Sequence, residues 1–387
     1  MSHTSRRRIL LASAAIAVMA AWTGSAQAIE PIKIGAVLSV TGPASLLGDP
    51  EAKVLKMYSD QLNKDGGVLG RKIELIVYDD EGKADKTTTL VKRLIESDNV
   101  DLIIGPTLTG NTMAAIPLAE RAEIPLISIA GGGVIVEPVK KWIFKTPHTD
   151  KMATEKVFLD MKKRGITNIA LIYGNDGYGK SASTATKELA PLHGMTILAD
   201  ETYFASDADM TPQLTKIKNT PGVQAIFNLG FGQSAAVVTK NAKQLNMGLP
   251  YYESHGVNSK NFIQLAGIDA TEGVRLPASA VLVAEALPAD DPQKTVTMKF
   301  KTETEAAFKT EVSTYGGHAY DALQIALTAI SRAGSVDKHK VRDEIERTSG
   351  YVGTSGIVSM SPGNHLGLNL NSLKLLEIKN GQWSLVQ

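Results

Sequence analysis

Two glycine-rich segments of this sequence match motifs that bind phosphate groups. Residues 174–181 read GNDGYGKS and satisfy the phosphate-loop pattern, in which backbone N–H groups and a lysine cradle the phosphates of a nucleotide. Residues 230–235 read GFGQSA and match the dinucleotide fingerprint, with Glu253 about 20 residues further on as the candidate ribose-binding acid. The second match would predict an exported nicotinamide-dependent oxidoreductase, which stays open as an alternative.

Both motifs lack the partners that their chemistry needs. The apolar run over residues 224–229 continues directly into Gly230, so it does not end in the aspartate that would hold magnesium beside a phosphate loop. The dinucleotide match lies in the middle of the chain, and no catalytic lysine–histidine set accompanies it. The seven histidines are scattered, without a His-Glu-x-x-His or Gly-x-Ser-x-Gly motif. We therefore predict a protein that is not an enzyme and that holds no cofactor or metal.

A third group of residues has the chemistry of an anion site. Asn111 and Thr112 open a predicted helix, where amide, hydroxyl and backbone N–H groups can face an anion together. The run of Gly131, Gly132 and Gly133 allows the backbone to approach a ligand closely. Ordinary helix capping and turn formation explain the same residue types and stay open as the alternative.

Composition excludes several classes of site. The chain has no cysteine, so it forms no disulfide, thiolate metal site or cysteine nucleophile, and no cysteine can carry a lipid. It has 41 basic and 40 acidic residues; the first 28 residues contain three arginines and no acid, which leaves 38 − 40 = −2 for the remainder. A nearly neutral surface offers no basic field for nucleic acid.

The first residues resemble an export signal. A basic stretch, residues 5–8, precedes an apolar run over residues 9–22 and the small residues Ala26 and Ala28. This pattern predicts a signal peptide over residues 1–28 that is cleaved after Ala28, by the general secretory or the twin-arginine route. The predicted location is the periplasm.

The rest of the chain alternates short apolar runs with amphipathic segments. The runs lack strict alternation, as expected of parallel strands covered on both faces, and the alternation predicts an α/β fold with right-handed crossovers. The predicted strands cover residues 33–40, 73–78, 101–105, 125–130, 168–173, 195–202, 224–229 and 251–254. The predicted helices include residues 84–97, 109–121, 153–164, 178–192, 233–245, 295–312, 315–332 and 338–348.

This pattern runs twice, which predicts two lobes. We assign residues 29–147 and 279–352 to the first lobe, and residues 148–278 and 353–387 to the second. Asn380-Gly381 in the tail predicts a tight turn between two antiparallel strands. The loops that follow the strands of both halves can meet only across a cleft between the lobes, where parallel sheets bind ligands.

In its order of short segments, the chain resembles the periplasmic leucine and branched-chain amino-acid binding proteins, the type I substrate-binding proteins of ABC importers. The likeness covers residues 31–387 and is carried by Ile32-Lys33-Ile34-Gly35, Thr41-Gly42-Pro43, Asn63 to Arg71, Tyr78-Asp79-Asp80-Glu81, Ile104-Gly105-Pro106, Ile124 to Ser128, Tyr178-Gly179 and Gly267 to Gly273. The resemblance implies two Rossmann-like lobes, flanked by helices and joined by three hinge crossings, that trap a small molecule as they close. It also implies a membrane permease as partner and a monomeric protein.

The resemblance also assigns the ligand contacts. The family's carboxylate clamp falls on Asn111, Ala130 and Gly132, beside Thr112 and Gly131. The acid with which the family's amino-acid binders pair the ligand's ammonium is replaced by His255, although Glu253 lies two residues away and could take that role.

The remaining predicted contacts are apolar. Leu47, Tyr178 and Phe231 would form the apolar walls, and Tyr178 also carries a hydroxyl. Together with His255, these residues favour an aromatic or other hydrophobic carboxylate without an ammonium group. An amino-acid ligand stays open, as does a sensor that presents its closed lobes to a membrane receptor.

Overall fold

The computed structural model describes residues 30–386, so the predicted signal peptide lies outside the described residues. Five strands form the first sheet: β1 (Ile32–Leu38), β2 (Ile73–Asp79), β3 (Leu102–Ile104), β4 (Leu126–Ser128) and β5 (Ile143–Lys145). All pair in parallel, in the order β2-β1-β3-β4-β5. β1, β3, β4 and β5 are almost wholly buried because helices cover both faces of the sheet, as the continuous apolar runs predicted.

The second sheet is mixed. Its strands are β6 (Asn168–Gly174), β7 (Thr196–Tyr203), β8 (Ala225–Leu229), β9 (Tyr251–Glu253), β10 (Arg275–Ser279), β13 (Leu373–Lys379) and β14 (Gln382–Leu385), and β11 (Tyr351–Val352) with β12 (Ile357–Val358) forms a separate hairpin. The order is β14-β13-β10-β9-β8-β6-β7, with β13 and β14 antiparallel. Asn380 and Gly381 have φ values of 51° and 71°, as the predicted tight turn between β13 and β14 requires.

Helices cover both sheets. They are α1 (Ser45–Lys64), α2 (Ala84–Glu96), α3 (Thr109–Ala122), α4 (Asp150–Lys163), α5 (Gly177–Leu189), α6 (Thr211–Lys218), α7 (Gly232–Gln244), α8 (Lys260–Ala266), α9 (Ile268–Thr271), α10 (Lys294–Phe308), α11 (Thr314–Ala333) and α12 (Lys338–Glu346). Short 3₁₀ helices cover Gly133–Ile135, Pro191–His193, Ala280–Ala286 and Leu370–Ser372. Among residues 30–386, no helix combines the length and apolar character that crossing a bilayer requires.

The chain passes between the two sheets three times: between β5 and α4, after β10, and before β13. Residues 353–368 pack on the first sheet's side, because Thr354 bonds Asp321 of α11 and His365 bonds the carbonyl of Ile143 in β5. These contacts favour a third crossing after Leu368 rather than the predicted boundary at residue 352, and we propose that boundary.

Three elements near the cleft were not predicted as regular structure: α1, β5 and β10. α1 contains Gly48 and Pro50 in its first turns, which hide the helical pattern. β5 has three residues and β10 contains Pro277, so neither has the sequence length or composition of a typical strand.

Candidate functional site

A small cavity of ≈ 40 Å³ lies between the lobes, at the carboxyl ends of the parallel strands. The first lobe lines it with Leu47, Thr107, Leu108, Thr109, Ile129, Gly131, Tyr315 and His318; the first crossing contributes Pro147; the second lobe contributes Tyr178, Phe231, His255 and Gly256. We call the first-lobe residues the first wall and the second-lobe residues the second wall.

Five predicted ligand contacts line this cavity: Leu47, Gly131, Tyr178, Phe231 and His255. They come from α1, the loop after β4, α5, and the loops after β8 and β9. They are far apart in sequence but meet because each follows, or lies one turn beyond, the carboxyl end of a parallel strand.

The other predicted contacts lie behind the first wall and do not line the cavity. Asn111 donates from Nδ2 to Oδ2 of Asp80 at 2.8 Å, and Thr112 shares a 2.9 Å hydrogen bond with Ser128 Oγ. The backbone N–H of Ala130 donates to the same Ser128 hydroxyl at 3.2 Å. These groups therefore make their hydrogen bonds inside the first lobe.

Thr109 occupies the cavity-facing position near the start of α3. The helix begins at Thr109, two residues before Asn111, and residues two apart on a helix point in different directions. The N–H of Gly132 donates to Thr109 Oγ1 at 3.0 Å, and a Cβ atom on Gly132 would lie 2.4 Å from Thr109 Cγ2. Glycine is thus required at 132 for this close approach to Thr109, whereas the glycine run predicted a close approach to a ligand.

Thr107, Thr109, Tyr315 and His318 also face the cavity although no sequence motif assigns them a role. The threonines could have been found from their place directly after β3. Tyr315 and His318 are on α11, far along the chain, and only the packing of α11 against the first sheet brings them to the cleft.

Three aromatic rings of the second wall pack against one another. The Tyr178 and Phe231 centroids are 6.0 Å apart at 77°, and the Tyr178 and His255 centroids are 5.7 Å apart at 83°. Edge-to-face pairs of this kind are favourable, and they fix the orientation of each ring before a ligand arrives.

Both cavity histidines are neutral near pH 7. Burial, followed by the positive charge of Lys145, lowers the pKa of His255 to about 3. Burial, followed by His255 and Lys145, lowers the pKa of His318 to about 3. His255 Nδ1 lies 3.5 Å from the Tyr178 hydroxyl, whereas its Nε2 is buried without a partner among the described residues. The free nitrogen can therefore hydrogen-bond a neutral or negatively charged group.

Glu253 lies inside the second lobe rather than at the cavity. Its Oε1 accepts hydrogen bonds from Asn228 Nδ2 at 3.0 Å and Thr239 Oγ1 at 2.6 Å. Burial raises its pKa to about 8, although both hydrogen bonds act in the opposite direction. In this position Glu253 contacts neither a ligand's ammonium in the cavity nor a ribose at the surface.

In the phosphate-loop segment, a carboxylate of the same segment already bonds the backbone N–H groups. Asp176 Oδ1 accepts the backbone N–H groups of Tyr178 and Gly179, at 2.8 and 2.9 Å, and so caps the start of α5. The N–H groups that would cradle a phosphate are thus bonded to a carboxylate, which would also repel one.

The lobes touch each other around the cavity. Tyr315 Oη donates to the carbonyl of Gly256 at 2.8 Å, and Gly177 packs so closely on Gly110 that a Cβ atom on Gly177 would lie 2.6 Å from the Gly110 Cα and N atoms. The structure therefore shows the two lobes in the closed arrangement.

Comparison with known proteins places the chain in a family by its sequence. The model of a family described as periplasmic binding protein matches residues 31–382. The leucine-, isoleucine-, valine-, threonine- and alanine-binding protein of Pseudomonas aeruginosa is 26% identical over 345 residues, which cover 88% of this chain and 88% of that protein.

Solved structures show the same fold. An extracellular ligand-binding receptor from Rhodopseudomonas palustris HaA2 has a TM-score of 0.86 at 29% identity, covering 92% of this chain and 99% of that one. A solute-binding protein of an ABC transporter from R. palustris, solved with benzoate, has a TM-score of 0.81 at 22% identity, covering 92% and 95%. The predicted two-lobed α/β fold is confirmed. This chain belongs to the periplasmic binding protein family, within its leucine and branched-chain amino-acid binding, type I branch, whose members bind small molecules and work with ABC permeases.

Proposed function

We propose that this chain is the periplasmic substrate-binding component of an ABC importer and that it captures a small carboxylate with an aromatic or other hydrophobic body. The observation that carries the ligand class is the neutral His255 in the second wall. A neutral imidazole cannot pair with an ammonium as a carboxylate does. Glu253, the other candidate for that role, has one carboxylate oxygen bonded inside the second lobe.

The walls also support an aromatic body for the ligand. Tyr178 and Phe231 present ring faces and edges, against which a planar ring packs well. The first wall offers the Thr109 hydroxyl, whose proton a carboxylate can accept. The fold that this chain shares with the benzoate-bound R. palustris protein holds an aromatic acid in that protein.

Capture proceeds by hinge closure. In the open form the ligand binds to the first wall, and closure then brings the aromatic rings of the second wall against it. The ligand stabilises the closed form because it contacts both walls only there. The closed form docks on the permease, and the protein performs no chemistry and acts as a monomer after removal of residues 1–28.

A branched-chain amino acid is the second candidate ligand. The P. aeruginosa relative, whose name records leucine, isoleucine and valine, supports it. The largely apolar lining suits such a side chain but offers no carboxylate to its ammonium.

Thermal unfolding of residues 29–387 against a panel of solutes tests the proposal. The panel contains benzoates, hydroxycinnamates, leucine, phenylalanine and nicotinamide dinucleotides. A ligand at one hundred times its Kd adds about 2.7 kcal/mol to the free energy of unfolding, which raises Tm by a few degrees. We expect aromatic acids to do so. A response to leucine alone would overturn the ligand class, and a response to a dinucleotide alone would favour the oxidoreductase.

A single substitution sharpens the argument from His255. His255→Asp restores an acid in the second wall, so we expect leucine binding to improve and benzoate binding to weaken, each by about tenfold. His255→Asn, which is uncharged, is the control and should not improve leucine binding. Isothermal titration calorimetry measures both ligands on each variant.

A further inference from the structure

Lys145, the last residue of β5, is a fully buried lysine close to the cleft. Its Nζ donates to the carbonyl of Gly131 at 3.0 Å and to the carbonyl of His148 at 3.3 Å. Among residues 30–386 it forms no ion pair. A charged group in such a position is costly unless its charge is used, so its contacts indicate where the charge acts.

The peptide group that joins Gly131 to Gly132 connects Lys145 to the cavity. Its carbonyl accepts from Lys145, and its N–H donates to Thr109 Oγ1 at 3.0 Å. The C=O and N–H of a trans peptide point in opposite directions, so the two hydrogen bonds lie on opposite sides of one peptide plane. We call Lys145, this peptide and Thr109 the Lys145 hydrogen-bond series.

The Lys145 hydrogen-bond series ends at the Thr109 hydroxyl of the first wall, whose proton has no acceptor among the described residues. Thr109 Oγ1 already accepts from Gly132, and a hydroxyl has one proton to donate. No described acceptor takes that proton, and Thr109 lines the cavity. Hydrogen bonds in series polarise one another, so the charge of Lys145 strengthens the final donor.

We propose that Lys145 is a positioning residue for ligand selection: through the Gly131–Gly132 peptide it polarises the Thr109 hydroxyl, which makes the cavity prefer a carboxylate to a neutral group of the same shape. This inference rests on the proposed function, since it concerns the carboxylate of that ligand. The charge acts without entering the cavity, so the ligand does not have to displace an ion pair.

The surroundings of Lys145 give this selection a pH dependence. The titratable groups that act on it or near it are Asp150, Glu137, His148, His255 and His318. Burial lowers the pKa of Lys145 to about 7, against the opposing effect of the two carboxylates, and the three histidines are neutral because burial lowers their pKa values. The charged form of Lys145 favours an anion, so carboxylate affinity falls as pH rises through about 7.

The test compares benzoate with benzamide, which has the same shape without the charge. Lys145→Met removes the charge at similar length, and we expect the ratio of benzoate to benzamide affinity to fall about tenfold or more, with benzamide binding little changed. Lys140→Met is the control, because Lys140 also donates to backbone carbonyls of the neighbouring segment, those of Val134, Ile135 and Pro138, but not to Gly131.

Two further measurements keep the test decisive if Lys145→Met does not fold. Thr109→Val removes the hydroxyl and should lower the same ratio, whereas Thr109→Ser keeps it and should preserve the ratio. In the unaltered protein, the benzoate to benzamide ratio should decline between pH 6 and 8, where neither probe titrates. A purely structural role for Lys145 or Thr109 predicts equal losses for both probes and no decline with pH.

The outcomes separate this inference from the proposed function. If benzoate binds but the ratio is unchanged in the Lys145 and Thr109 variants, the inference is wrong and the proposed function stands. If only amino acids bind, the proposed ligand class is wrong, and leucine with leucinamide replaces the probe pair for the same test. If no carboxylate binds the unaltered protein, both are wrong.

Discussion

The two walls of the cavity recognise a ligand by different chemistry. The first wall offers the Thr109 hydroxyl and the backbone of Gly131, and the second offers the rings of Tyr178 and Phe231. Hydroxyls and peptide groups satisfy a charged end of a ligand, whereas rings bury an apolar body. For the proposed ligand, this difference favours one orientation in the cleft, with the carboxylate toward the first lobe and the hydrophobic part toward the second.

The largest expected effect concerns a point where the two lobes touch beside the cavity. A Cβ atom on Gly177 would lie 2.6 Å from backbone atoms of Gly110, so Gly177→Ala prevents full closure, and ligand affinity should fall about a hundredfold. Gly110→Ala is the matched control, because its Cβ would lie 3.7 Å from the Gly177 Cα, an ordinary contact. Calorimetry gives the affinities, and small-angle scattering gives the closure. Normal ligand-induced compaction of the Gly177 variant would contradict this account.

A buried glutamate of the second lobe, Glu253, gives the next effect, on stability rather than binding. Glu253 has a folded pKa of about 8 against an ordinary 4.5, so the folded state binds more protons between those values, and the free energy of unfolding falls as pH rises from about 4.5 to 8. Glu253→Gln keeps an oxygen for Asn228 and Thr239, and it should be roughly 2 kcal/mol more stable than the unaltered protein at pH 8, with a smaller difference at pH 5.

Chemical denaturation at several pH values measures this difference. The exposed Glu74→Gln is the control and should leave the pH dependence as it is. Benzoate affinity should not change in Glu253→Gln, because Glu253 does not line the cavity. A change in affinity would place Glu253 at the ligand.

The contribution of the second wall is tested by truncating one aromatic side chain. Phe231→Ala removes apolar surface from the second wall, so we expect aromatic acids to bind about ten- to thirtyfold more weakly. Phe204→Ala, in the same lobe but 57% exposed and away from the cavity, is the control. Equal losses for a small aliphatic acid such as acetate would show that Phe231 supports the wall rather than the ligand.

The smallest effect comes from one hydrogen bond between the lobes. Tyr315→Phe keeps the ring but loses the 2.8 Å bond to the Gly256 carbonyl, so affinity should fall about three- to tenfold without a loss of unliganded stability. Tyr351→Phe removes a bond to Asp321 within the first lobe, and it should lower stability without changing affinity. Unchanged affinity in the Tyr315 variant would mean that this bond does not hold the lobes closed.

Much of the fold could be predicted because α/β proteins alternate strongly in sequence. All eight strands predicted for the two sheets agree, with β1, β2, β3, β4, β6, β7, β8 and β9, to within about two residues at each end, which is within the usual uncertainty of element boundaries. The two lobes followed from the repetition of that pattern. β5 and β10 were missed because pairing with neighbours distant in sequence, rather than local composition, makes them strands.

The site was predicted in part. Leu47, Gly131, Tyr178, Phe231 and His255 line the cavity because they follow the ends of parallel strands, a rule that needs only strand order.

The sequence by itself determined the family, the order of elements and the loops that meet at the cleft, since these depend on periodicity and motif order. The tertiary structure alone decided which side chains in those loops are free. Asn111 is bonded to Asp80, thirty-one residues away, and Thr109 faces the cavity instead. Lys145 reaches Gly131 only through the pairing of β4 with β5. Hydrogen-bond partners far apart in the chain are chosen by packing, which no local pattern records.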